Sequence, residues 1–199
     1  MRARREADEK GNLMKRFHVG LMLTAVCLVS SLTAPVRADS LRDNEAKFAS
    51  GAGAVAFVAA GVLLPLREKT PEGKQQAART ADALLTGVLL SESLKRIVHA
   101  DRPDGSGDDS FPSTHATAAF AVAAMQSHYH RKQAPLWYLG AAVIAESRVQ
   151  QDKHRWQDVV AGGLLGYATA HYERKSQRGL LLTPFIGQRS GGVAVAGKF

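Results

Sequence analysis

Cysteine is nearly absent from this sequence: Cys27 is the sole one among 199 residues. It lies inside the apolar run Val19 to Leu32, and Thr24-Ala25-Val26 before it do not form a lipoprotein cleavage box. Once that run is removed the chain has no thiol and no disulfide, so cysteine usage carries no redox information. Internal repeats and low-complexity tracts are also missing. No basic stripe with interleaved aromatics appears, which argues against nucleic acid as a partner. The net charge of +8 divides evenly, +4 within residues 1–38 and +4 in the rest. That mild excess suits anionic substrates or anionic lipid surfaces.

What is present begins with an export signal. Lys15 and Arg16 form a positive flank, the apolar run follows, and Val36-Arg37-Ala38 offers small residues where a signal peptidase reads. Cleavage is expected before Asp39, with an uncleaved membrane anchor as the competing reading of residues 1–38 and Met14 as an alternative start. The expected location is the periplasm or the periplasmic face of the inner membrane. Residues 39–199 are then one domain, long enough for a sizeable core.

That domain reads as all-α, a bundle of about five core helices with a short C-terminal β-hairpin. Abundant alanine and glycine favour close helix packing. Lys47 and Arg67 bracket 19 uncharged residues, Phe48 to Leu66, a length that spans a bilayer. Pro65 and the glycine and serine positions within it suit a buried bundle helix equally well. Residues 68–75 read as a polar turn. A long helix is expected over 76–99, where Ala81, Leu84, Leu85, Val88, Leu89 and Leu94 recur at helical spacing. Residues 101–110 are a loop by composition, and helices follow over 113–126, 135–147 and 157–173. The apolar runs of these last three are about 12–14 residues, short for a span, which argues against a polytopic bundle. Leu180 to Ile186 and Gly192 to Phe199 are β-like around a turn.

Three phrases carry chemistry. In Lys95-x6-Arg102-Pro103 the two cations are two helical turns apart and share a side if the helix continues to the proline. A guanidinium grips phosphate oxygens at two points and an ammonium adds a point charge. Taken alone, such a pair is usually a solvated face. In Phe111-Pro112-Ser113-Thr114-His115, Ser113 stands where an N-cap belongs, and the first turn behind it is an anion site. His115 in that turn can pass a proton to a leaving oxygen; by itself it reads as a surface histidine. Ser147-Arg148-x5-His154-x3-Asp158 is the most specific phrase. A carboxylate four residues on can hold one imidazole nitrogen and raise the nucleophilicity of the other, although a lone pair at this spacing often only stabilises a helix. His154 is expected to face the surface.

These phrases, in this order, resemble the signature of the type 2 phosphatidic acid phosphatase family, which it shares with bacterial class A acid phosphatases and vanadium haloperoxidases. Arg102-Pro103-Asp104-Gly105-Ser106 through Ser110-Phe111-Pro112-Ser113, and Asp158-Val159-Val160-Ala161-Gly162, resemble the phosphatase branch. The similarity spans about residues 80–170. It implies that His154 attacks phosphorus, Asp158 orients it, and His115 protonates the leaving alcohol and then activates water. It implies that Lys95, Arg102, Arg148, Ser113 and the amide of Thr114 hold the phosphate. Neither metal nor cofactor is implied. Thr114 replaces the glycine usual in that family, and a β-branched residue either crowds the phosphate or lends its hydroxyl.

The expected activity is hydrolysis of phosphate monoesters or diphosphates, of membrane lipids or small soluble molecules, through a phosphohistidine. The alternatives are a vanadium-dependent haloperoxidase, for which the chain is short, and a non-catalytic phosphate-binding membrane protein. His99, His128, His130 and His171 read as surface or helix-end residues, and Trp137 and Trp156 as packing. Asp104, Asp108 and Asp109 lack calcium-loop spacing and read as a solvated loop mouth.

Overall fold

The computed structural model describes residues 39–176, 179, 182–186 and 191–195. The expected export signal, residues 1–38, lies outside them. Among the described residues six α-helices follow in chain order: α1 Asp39–Phe48, α2 Ala54–Leu63, α3 Pro71–Val98, α4 Thr114–Tyr129, α5 Ala134–Gln150 and α6 Trp156–Lys175. A π-helical turn, Ala49–Gly53, joins α1 to α2, and helical geometry breaks at Gly51 (φ −96°, ψ −106°). Such turns are a common cause of helix kinks. With α1 and α2 counted as one kinked rod, the bundle has the expected five helices.

The stretch 68–75, read from its polarity as a turn, is largely helix. Thr70 caps α3 by accepting the Gly73 N–H at 3.1 Å, and Pro71 occupies the first turn, where a missing N–H costs nothing. The kinked rod Arg42–Glu68 is, among the described residues, the one helix long and apolar enough to cross a bilayer. Only 22% of its apolar stretch is buried, so the alternative of a fully packed core helix does not hold. Phe48, Val55, Leu63, Leu64 and Leu66 are all exposed along it.

The centre of the bundle is α4. Ala116, Thr117 and every residue from Ala119 to Gln126 are buried, so the helix is enclosed on all sides. It packs most extensively on α6, then on α5 and α3. Two glycines of α6 permit the closest approach. A Cβ at Gly166 would lie 2.1 Å from the Thr117 carbonyl oxygen, and one at Gly162 2.4 Å from that of Ser113. Backbone therefore meets backbone where any side chain would hold the helices apart. At the far end of α4, Gln126 Nε2 donates to the Gly61 carbonyl of α2 at 2.6 Å. After α5, Gln151 Nε2 donates to Ala46 O (2.8 Å) and Ser50 Oγ (2.7 Å), tying the kinked rod to the bundle.

Towards the C-terminus, Leu182–Ile186 and Gly191–Val195 are extended and antiparallel, with Leu182 opposite Val195. Of the turn expected at 187–191, residues 187–190 lie outside the described residues and Gly191 begins the second extended segment. The bundle itself is all-α.

Candidate active site

One end of the bundle gathers the three sequence phrases. Helix α3 stops at Val98, where His99 adopts a left-handed conformation (φ 48°). The helix therefore does not continue to Pro103, and helical spacing is not what pairs Lys95 with Arg102. The loop does that: Arg102 N–H donates to Gly107 O (2.8 Å) and Gly105 N–H to Arg102 O (3.0 Å). Lys95 itself sits in the last turn of α3, only 6% exposed. Burial pulls its pKa below the ordinary lysine value, with Asp109 and Glu92 pulling the other way.

Ser113 caps α4, with its buried Oγ accepting from the Ala116 N–H at 3.5 Å. The amides of Thr114 and His115 precede the first helical hydrogen bond and form the positive end of the helix. Ser113 N–H donates to Asp158 O at 3.0 Å, so the N-termini of α4 and α6 are tied together. The close packing at Gly162 enforces that juxtaposition.

Thr114 turns its side chain away from the helix end towards α3. Its Oγ1 donates to Glu92 Oε1 at 2.6 Å and lies 3.0 Å from Ser91 Oγ. The β-branched residue is thus accommodated by two polar groups of the neighbouring helix.

His154 departs from expectation in its burial: it is 2% exposed, not surface-facing. Its Nδ1 lies 2.7 Å from the Ser110 carbonyl oxygen. A carbonyl can only accept, so Nδ1 carries the proton and Nε2 keeps a lone pair. Burial pushes the imidazole pKa down to about 4, and Lys95, Arg148 and Arg102 act in the same direction against the Ser110 hydrogen bond. The ring is therefore neutral at ordinary pH.

Asp158 does not bond His154 directly. Its Oδ2 is 4.0 Å from Nδ1, beyond hydrogen-bond reach. The carboxylate instead accepts from Ser110 Oγ (2.5 Å) and from the Arg155 N–H (2.8 Å). It fixes Ser110, and the Ser110 carbonyl in turn fixes the imidazole.

His115 stands in the first turn of α4 with its side chain exposed. Its pKa is lowered to about 4 by desolvation and then by Arg148, Lys95 and Arg102. Solvent still reaches the ring, which favours the three cations as the dominant cause. Arg148, near the end of α5, has its Nε buried without a protein partner. Burial and the neighbouring Arg102 lower its pKa. A buried guanidinium N–H with no acceptor fits a site built to receive an anion.

The structure thus places all eight sequence-derived residues at one end of the bundle. Lys95, Arg102 and Arg148 act together on both imidazoles. Three residues at the site escaped the sequence reading. Ser110 links His154 to Asp158, Glu92 receives Thr114, and Asp109, half-exposed at the loop mouth, is also paired with a cation. Its carboxylate takes the Arg102 guanidinium, Nε to Oδ1 at 2.6 Å and Nη2 to Oδ2 at 2.9 Å. Ser110 was visible only as part of a motif, and nothing local marks Glu92 or Asp109.

Three cations, a helix N-terminus and a buried imidazole with its Nδ1 committed to a carbonyl thus gather at one end of the α-bundle. The sequence pattern of the PAP2 superfamily matches residues 77–179, and the chain belongs to that superfamily. Among solved structures, LpxE from Aquifex aeolicus superposes with a TM-score of 0.56 at 22% identity, covering 77% of this chain and 94% of that one. The first transmembrane PAP2-type phosphatidylglycerolphosphate phosphatase from Bacillus subtilis superposes with a TM-score of 0.51 at 20% identity, covering 84% and 89%. At these identities the likeness is one of fold. The bacitracin transport permease protein BcrC of Bacillus licheniformis is 36% identical over 63 residues, 32% of this chain and 31% of that protein. The match therefore spans less than a third of that relative's length.

Proposed function

We propose that this protein is a metal-independent phosphatase that works through a phosphohistidine on His154. The observation carrying this reading is the His154 tautomer: Nδ1 is committed to the Ser110 carbonyl at 2.7 Å, which leaves Nε2 as a nucleophile among three cations. In the first step Nε2 forms a bond to phosphorus while the phosphorus–oxygen bond to the leaving group breaks. His115 gives that oxygen its proton. In the second step His115 takes a proton from water, the water oxygen bonds to phosphorus, the phosphorus–nitrogen bond breaks, and inorganic phosphate leaves. Arg102, Arg148, Lys95 and the first-turn amides of α4 neutralise charge on the transferring group, which is most of what such a transfer requires.

His115 must be protonated to act as an acid, yet desolvation and the three cations hold its pKa down. A bound phosphate offsets the cations' share of that shift and so favours the protonated ring.

The substrate class we favour is a lipid phosphate or diphosphate. Ile97 and Val98 at the end of α3 and Trp156 and Val160 in the first turns of α6 are exposed, apolar surface on the two helices that carry Lys95 and Asp158. The largely exposed rod Arg42–Glu68 supports contact with a membrane. Export to the periplasmic side places the site at that surface, and the C-terminal hairpin would clamp the bundle edge. Protein recovered from a Gram-negative host should begin at or near Asp39 by intact mass.

Phosphate release from purified protein in EDTA, on phosphatidic acid, phosphatidylglycerophosphate, polyprenyl diphosphate and p-nitrophenyl phosphate, tests the activity. Release from a lipid exceeding that from p-nitrophenyl phosphate supports the lipid reading. The absence of release from all four would refute the enzyme.

A further inference from the structure

We propose that Asp109 is a built-in competitor for the phosphate cations and sets how tightly this site holds phosphate. One residue engages two of the three cations. Its carboxylate meets the Arg102 fork at 2.6 and 2.9 Å. Its backbone carbonyl accepts from Lys95 Nζ, which also lies 3.8 Å from Oδ2.

Two other acids of the loop have partners of their own. Asp104 pairs with Lys153, and Asp108 with His99 at 3.0 Å. Of these three, Asp109 is the one hydrogen-bonded to the phosphate cations. Arg148 supplies the contrast, since its buried Nε has no protein partner.

The physical reason is charge balance. The Arg102 side chain is 19% exposed and that of Lys95 6%, and buried cations need a counter-charge. Asp109 supplies it. A carboxylate presents the same two-oxygen face to a guanidinium as a phosphate does, so the two anions cannot share the Nε and Nη2 edge of Arg102. The Asp109 side chain is 47% exposed and can turn into solvent without stranding a buried charge. Phosphate binding is then an exchange of one anion for another, and the return of Asp109 displaces the product. Weak product inhibition is the functional consequence. That consequence rests on the hydrolytic reading, whereas the exchange itself rests only on anion binding.

The test is Asp109→Asn, which keeps the size and the carbonyl acceptor and removes the charge. Full-length protein in detergent is titrated with inorganic phosphate by calorimetry, and inhibition by inorganic phosphate is measured against p-nitrophenyl phosphate. Phosphate should bind the variant about three- to tenfold more tightly, the scale of one half-exposed ion pair removed from competition. Equal or weaker binding overturns the proposal and makes Asp109 a mere brace for Arg102. Asp109→Ser, with no carbonyl to occupy the fork, should tighten phosphate at least as much and decides the matter if the asparagine variant folds poorly. Tighter phosphate binding in a protein that hydrolyses nothing overturns the hydrolytic reading alone.

Discussion

Replacing Asp158 by asparagine separates two ways in which a carboxylate can serve a histidine. Where an aspartate bonds the imidazole directly, the amide isostere presents the wrong group, flips the tautomer and costs about 10⁴ in kcat. Here the carboxylate is 4.0 Å from His154 Nδ1 and is bonded to Ser110 Oγ and the Arg155 N–H. The Nδ1 proton goes to the Ser110 carbonyl, which Asp158→Asn leaves in place. The tautomer should therefore survive. The asparagine oxygen can still accept both bonds that Oδ2 takes. What is lost is the charge that strengthens them and faces the developing positive imidazole, about 1.5–3 kcal/mol. That converts to a fall in kcat of roughly 10- to 150-fold. The assay is kcat on p-nitrophenyl phosphate, paired with ¹⁵N chemical shifts of the His154 ring. A loss near 10⁴ with the proton moved to Nε2 would refute the relay through Ser110.

Further outcomes follow from the same geometry. His115→Ala should slow an alkyl phosphate by at least about tenfold more than p-nitrophenyl phosphate, because a good leaving group needs little help from an acid; equal losses on both would remove His115 from that role. Thr114→Gly removes the bonds to Glu92 and Ser91 but keeps the first-turn amide, so activity should hold or rise while urea stability drops by about 1 kcal/mol. A tenfold loss of kcat/KM, or roughly 1.4 kcal/mol, would show instead that the hydroxyl serves the transition state. The folded-state pKa of His154, about 4, is below the ordinary 6.5, so between these values the unfolded chain binds the extra proton. Stability from this residue is fully present above pH 6.5 and is lost as pH falls towards 4, by roughly 3 kcal/mol at most. Urea midpoints at pH 7 and 4.5 should differ more in the wild type than in His154→Asn; equal differences would contradict the burial assigned to this ring.

Some of this molecule is local and was legible along the chain. Ser113 after Pro112 signals an N-cap because an uncapped first turn leaves its own amides unpartnered, and the cap lies at Ser113. Alanine-rich runs at helical spacing mark the helices, and the order of the three phrases marks the site. At Thr70–Gln75 polar composition suggests a turn, but Thr70 instead caps a helix. Lys95 and Arg102 are likewise brought together by a loop rather than by a continuous helix. The remaining decisions are long-range. The hydrogen bonds of Ser110 to Asp158 and to His154 join residues 48 and 44 apart, and Thr114 reaches Glu92 across 22. Periodicity describes one helix and its exposed face; it says nothing of which atoms of another helix arrive there. Tertiary packing decides that, through the backbone contact that Gly162 and Gly166 permit between α6 and α4. It buries His154, routes its proton to a carbonyl, and gives Arg102 to Asp109, because each of those partners is within reach only once the helices have closed.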